Sequence, residues 1–118
     1  MAQRMIARAL VLVAVMAGLT LVGQAAPASA APCGVTAADT DQSPYGQNFL
    51  QNVSLRTGPD WTCKVTGTAT YNNLVDYHCY VNVNNVKWVY LRTATTKYGW
   101  VWADFLVEDG SYQPCDGW

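Results

Sequence analysis

Apolar and polar positions alternate most regularly between Val75 and Asn84. Val75, Tyr77, Cys79, Val81 and Val83 share one parity, and Asp76, His78, Tyr80, Asn82 and Asn84 the other. A period of two over ten residues predicts a strand with the first set on a single face. Val53 and Leu55, interleaved with Ser54 and Arg56, predict a shorter strand that Gly58-Pro59 ends. The Val- and Thr-rich run at 63–70 predicts another, with Gly67 as a bulge or bend and Asn72-Asn73 as the turn that follows. Asn84-Asn85 makes the next turn. Segments 87–91 and 98–102 complete five short strands, separated by a polar loop at 93–96, and the last is broken by Gly99. No stretch after residue 30 carries a helical period. Short strands with closely spaced turns predict an all-β barrel or sandwich that closes on itself. Val53, Leu55, Val89, Leu91 and Val101 are its expected core.

The chain ends read differently. Arg4 and Arg8 precede an apolar run from Ala9 to Val22 and a small-residue stretch ending Ala28-Ser29-Ala30, the pattern of a secretory signal cleaved after Ala30. Gly18, Thr20 and Gly23 interrupt a run already short for about 30 Å of hydrocarbon, so no membrane anchor is expected. The mature chain then folds outside the cytosol, where thiols oxidise. Residues 31–46 are polar, with Asp39, Asp41, Ser43 and Pro44, and predict an extended arm held by Cys33. The expected organisation is a signal peptide at 1–30, an arm at 31–51, a barrel at 52–107 and a disulfide-tethered tail at 108–118.

Composition narrows the function. Of the 118 residues, removal of 1–30 takes two of seven basic residues and no acidic ones, leaving five against eight and a net charge of −3. A nucleic-acid partner is not expected, because Lys and Arg are few and scattered from Arg56 to Lys97 rather than gathered into a patch. All five Trp, seven Tyr and two Phe lie after residue 44. A domain this short buries only about 60–65% of its unfolded surface, so some rings must reach solvent, where aromatics serve recognition.

Three motifs carry a family resemblance. Asn52-Val53-Ser54-Leu55-Arg56-Thr57-Gly58-Pro59 is similar to the "lNVRSGPS" opening of bacterial SH3-like (SH3b) domains, Trp88-Val89-Tyr90-Leu91 to their "WykV" strand, and the run from Tyr98 to Leu106 to their "tGWVsasYL". In order and spacing they bracket residues 52–106. The resemblance implies a small SH3-like barrel closed by a turn of helix at 103–105 and a last short strand. It also implies a groove lined by Trp88 and by the ring of Phe105, which stands where the family has Tyr. Trp61, Trp88, Tyr98, Trp102 and Phe105 are therefore the candidate ligand-binding residues, with Trp61 and Trp88 expected to be exposed. The implied ligand class is cell-wall peptidoglycan, especially its peptide portion.

Four cysteines allow three pairings. A turn at Asn72-Asn73 would set Cys63 beside Cys79 on adjacent strands, and barrel closure would bring Cys33 to Cys115; these are the expected disulfides. The SH3b resemblance says nothing about them. Catalysis is not expected. The single His78 neighbours Cys79 but faces the opposite way along a strand, as a surface histidine beside a structural disulfide. The carboxylates Asp104, Glu108 and Asp109 read as charged loop residues without a cleft. Cysteine spacing is too wide for zinc and oxidation would consume those ligands, so neither metal nor cofactor is expected. The Asn52-Val53-Ser54 sequon is uninformative in a bacterial-type exported chain. The expected protein is a secreted or wall-associated monomer that binds peptidoglycan or a peptide or protein ligand, with no membrane contact after signal cleavage. A secreted protease inhibitor presenting the 58–63 loop, or a protein-binding effector, is the alternative.

Overall fold

In a computed structural model, residues 32–118 are described; the expected signal peptide at 1–30 lies outside them. The described chain is all-β, with six antiparallel strands: β1 (Gln47–Asn48), β2 (Val53–Arg56), β3 (Val65–Ala69), β4 (Leu74–Val83), β5 (Val86–Thr93) and β6 (Tyr98–Trp102). Two single turns of 3-10 helix follow, at Ala103–Phe105 and Val107–Asp109. The order across the sheet is β1-β4-β5-β6-β2-β3. No pairing joins β1 to β3, so the sheet is open at those edges where the sequence predicts closure. β1 has only two residues to offer, both paired to the start of β4. An isolated antiparallel bridge, Phe49–Leu106, brings the segment after β1 to the chain beyond β6.

Strands β4, β5 and β6 form a meander with apolar residues on both faces. The inner face packs Val75, Tyr77, Val89, Leu91 and Val101 against Val53, Leu55, Ala69, Phe49 and Leu106. Phe49 is 2% exposed, so the core begins before residue 52, inside what the sequence marks as arm. An isolated ring in a polar stretch leaves no periodic signal. Gly99 serves close packing: a Cβ there would stand 2.6 Å from Leu55 Cβ. The β4–β5 turn is tight because Asn84 and Asn85 both take left-handed backbone (φ 51° and 65°), a conformation Asn tolerates better than most residues.

The outer face carries Cys79, Val81, Trp88, Tyr90 and Trp100, covered by Val35 and Ala37 of the arm and by Cys115 of the tail. Trp100 Nε1 donates to Val35 O at 2.9 Å, and Trp118 packs edge-on against Trp100 at 5.2 Å. Two cross-links hold these covers. Cys33–Cys63 ties the arm to the loop after β2, and Cys79–Cys115 ties the tail to β4. Disulfides persist where thiols are oxidised, so the fold belongs to an oxidising environment. Among the described residues, no helix is long and apolar enough to cross a membrane.

Both pairings differ from the expected Cys63–Cys79 and Cys33–Cys115, for two physical reasons. Strands β3 and β4, consecutive in the chain, do not pair with each other, and Cys63 sits in the loop before β3. Second, β4 contains a bulge: Tyr77 pairs with Leu91 but Cys79 pairs with Tyr90, so His78 is the extra residue. A bulge reverses the alternation beyond it. Val75 and Tyr77 therefore face inward while Cys79 and Val81 face outward, rather than sharing one face as their parity predicts. Turned outward, Cys79 meets the tail, which runs beside β4 through Tyr80 N to Gln113 O (2.8 Å) and Cys115 N to Tyr80 O (2.9 Å). The arm reaches Cys63 because Gly34 N and Val35 N both donate to Thr57 O. Gly58 leaves room for that approach: a Cβ there would collide with Pro32 O and lie 2.8 Å from Cys63 Sγ.

Candidate functional site

At one end of the outer face, four rings from three parts of the chain converge. Trp88 on β5 and Trp102 on β6 are cross-strand partners. Phe105 follows on the first 3-10 turn, three residues after Trp102, and its ring lies 5.0 Å from that of Trp102. Trp61, at the tip of the loop after β2, lies 4.7 Å from Trp88, 5.5 Å from Trp102 and 6.5 Å from Phe105. All these contacts are edge-to-face, the arrangement that ring quadrupoles favour. With Gln51, Asn52, Val53, Ser54 and Arg56 they line a groove of about 280 Å³.

The loop that presents Trp61 is held from several sides. Cys63 is cross-linked to the arm. Asp60 Oδ1 accepts from Thr62 N (2.9 Å) and Thr62 Oγ1 (2.8 Å). Arg56 Nη1 donates to Trp61 O (2.8 Å) and Cys63 O (3.1 Å), and its guanidinium lies 5.5 Å from the centre of the Trp61 ring. Arg56 thus positions the loop and stacks on its tryptophan at once. It was not among the sequence candidates, although its outward parity opposite Leu55 was visible.

Of the five candidates, Trp61, Trp88, Trp102 and Phe105 share this groove. Their exposure differs from expectation in one case: Trp61 is 47% exposed, but Trp88 is only 2% exposed and forms the floor. Trp61 itself supplies much of the lid, a long-range contact that no local pattern signals. Tyr98 is not in the groove. It stands four residues before Trp102 on β6, about 13 Å along a strand, and stacks on Tyr90 at 6.3 Å. Other depressions occur among the described residues. One of about 350 Å³ lies along Ser54 and Thr68, and one of about 220 Å³ lies beside Cys115 and Trp118. The larger of them is lined by small and polar side chains, so the four-ring groove offers more to an apolar or planar ligand despite its size.

At the other end of the outer face the chemistry is ionic. His78, expected at the surface, is 8% exposed, because the bulge turns it toward Asp76 and the arm lies over it. Thr40 N and Asp41 N both donate to His78 O, at 3.0 and 2.9 Å. Burial, with Asp39 beside it, raises the Asp76 carboxyl above its ordinary range. Asp41 is moved the other way: burial would raise it, but hydrogen bonds from Ser111 (Oγ to Oδ2, 2.6 Å) and Ser43 (N to Oδ1, 2.9 Å) outweigh that and lower it. Asp104, Glu108 and Asp109 are exposed. No family model, curated protein or solved structure matches the chain.

Proposed function

We propose that this is an exported, SH3-like binding module whose four-ring groove takes an extended peptide, with the peptide portion of cell-wall peptidoglycan as the ligand class. The observation that carries the reading is the convergence of Trp61, Trp88, Trp102 and Phe105 on one groove. Apolar ring faces flanked by Gln51, Asn52 and Ser54 suit a ligand with small apolar side chains and a backbone in need of hydrogen-bond partners. Export rests on the signal-like residues 1–30 and agrees with two disulfides. The SH3-like reading rests on the order of the three motifs and on the β2–β6 and β4–β5–β6 pairings.

The test is co-sedimentation of the oxidised protein with purified peptidoglycan. Wild type is expected to be retained saturably. Trp61→Ala, at the exposed loop tip, is expected to weaken retention about ten-fold or more while circular dichroism stays unchanged. Trp88→Ala is a poor probe, since removing a buried ring damages the fold as well. Retention unaltered by Trp61→Ala would remove the groove from the wall-binding reading. No retention of wild type would reject peptidoglycan and favour a protein ligand, with inhibition of trypsin-like and subtilisin-like proteases as the next assay.

A further inference from the structure

The ionic end of the outer face holds a second, independent arrangement. His78, more than nine-tenths buried, aims its ring at two carboxylates. Its Nε2 lies 3.2 Å from Asp76 Oδ2 and 3.6 Å from Asp39 Oδ2. One donor atom from each residue lies within 4.8 Å of the others. Around a tetrahedral zinc ion with bonds of about 2.0–2.2 Å, neighbouring donors stand about 3.3 Å apart, so two of the three separations already suit a metal.

The charges around the cluster point the same way. Among the described residues, no Lys or Arg forms an ion pair with Asp39 or Asp76. Arg92, the cross-strand partner of Asp76, turns instead over Tyr45 and Tyr98. Two adjacent carboxylates, one of them buried, are left with only an imidazole between them. His78 Nδ1 is buried without a hydrogen-bond partner. With the imidazole proton on Nδ1, Nε2 is free for a metal; no bond at Nδ1 is lost, and the metal takes the place of the Nε2 contact to Asp76.

We infer that Asp39, Asp76 and His78 form a site for a divalent transition metal of the zinc class, joining the arm to β4. Imidazole with carboxylates suits zinc, whereas calcium and magnesium prefer all-oxygen shells with more ligands. Three protein donors leave a fourth position open, and the Asp39 side chain, 41% exposed, gives solvent access. The two backbone bonds to His78 O hold Asp39's segment in place before any metal arrives. Because Nδ1 has no acceptor behind it, affinity falls about 10–100-fold below that of a histidine with such backing, so the metal exchanges rather than driving folding. The cysteines take no part.

The experiment is calorimetric titration of the chelator-treated, oxidised protein with zinc chloride, with thermal melts in parallel. Saturable one-to-one binding is expected, with a rise in Tm on the order of 10 °C at a hundred-fold excess over Kd. Asp39→Asn, a substitution on the exposed arm, is expected to weaken binding about ten-fold or more while the apo melt stays near wild type. His78→Gln is the stronger test wherever it folds, and Asp116→Asn serves as a surface-acid control. Absence of saturable zinc binding, an Asp39→Asn variant that binds like wild type, or an equal response to calcium chloride would each overturn the site.

Discussion

The same three strands support two cores built on different principles. On the inner face of β4–β6, mainly aliphatic side chains meet residues from β2, β3 and the 49 and 106 segments, and regular secondary structure supplies most of the cover. On the outer face, Tyr90 and Trp100 lie under chain with no regular structure, the arm and the tail, each fastened by a disulfide, and Trp88 lies under the Trp61 loop that the first disulfide also holds. A strand has two faces, and a small domain rarely has enough structure to bury both. Here the second face is buried by cross-linking irregular chain onto it, which also leaves both ends of that face available, one aromatic and one ionic.

The contrast can be broken from either side. The largest expected effect is on the inner face: Leu91→Ala, at a position with no exposure, should cost about 2–5 kcal/mol in denaturant unfolding, because the packed strands cannot collapse into the cavity. Replacing both Cys79 and Cys115 by Ala should cost about 2–4 kcal/mol. Its particular signature is a red shift of tryptophan emission as the tail leaves Trp100, with far-ultraviolet dichroism retained. A tail that stays docked without the cross-link would mean that packing alone holds the outer face.

Titration separates the faces further. The Tyr77 hydroxyl donates to Val107 O at 3.1 Å, and burial, with the charge of Glu108 adding to it, pushes its pKa up to about 12. A raised folded-state pKa means that stability is fully present below the unfolded value near 10 and is lost as pH rises through 12. Stability curves should show that alkaline loss in wild type and a smaller one in Tyr77→Phe. The smallest effect belongs to Asp41, which binds arm to tail through Ser111. Its lowered pKa gives stability present above the unfolded value near 4 and lost as pH falls through the folded one. Acid should loosen the outer face, read by Trp fluorescence, and Asp41→Asn should remove that part of the acid dependence.

How much of this was legible depends on the locality of the signal. Val53, Leu55, Val89, Leu91 and Val101 announce their burial by regular alternation, and the Asn84-Asn85 turn by its chemistry. The His78 bulge announces nothing, since the extra residue is neither Gly nor otherwise marked. That one residue reverses the faces of Cys79 and Val81 and so undoes both the parity reading and the disulfide pairing. The groove was partly readable because the motif resemblance assigns Trp88 and the Trp102–Phe105 segment to one groove, while the pairing of Trp88 with Trp102 across β5 and β6 needed the sheet register. Arg56 and the covering of Trp88 depend on where a remote loop settles, as do the neighbours of His78.

The two cystines also define how the molecule could be taken apart. They close the segments 33–63 and 79–115, which neither overlap nor enclose one another, and residues 64–78 belong to neither ring. A single nick in the exposed turn at Tyr71 would therefore yield two separately cyclised pieces with no covalent link, one carrying β1–β3 and the other β4–β6. Each would hold an unmatched part of the inner core and of the aromatic groove, with Trp61 on the first piece and Trp88, Trp102 and Phe105 on the second. The fold is thus a natural candidate for fragment complementation, in which reassembly of the groove reports that the halves have found each other.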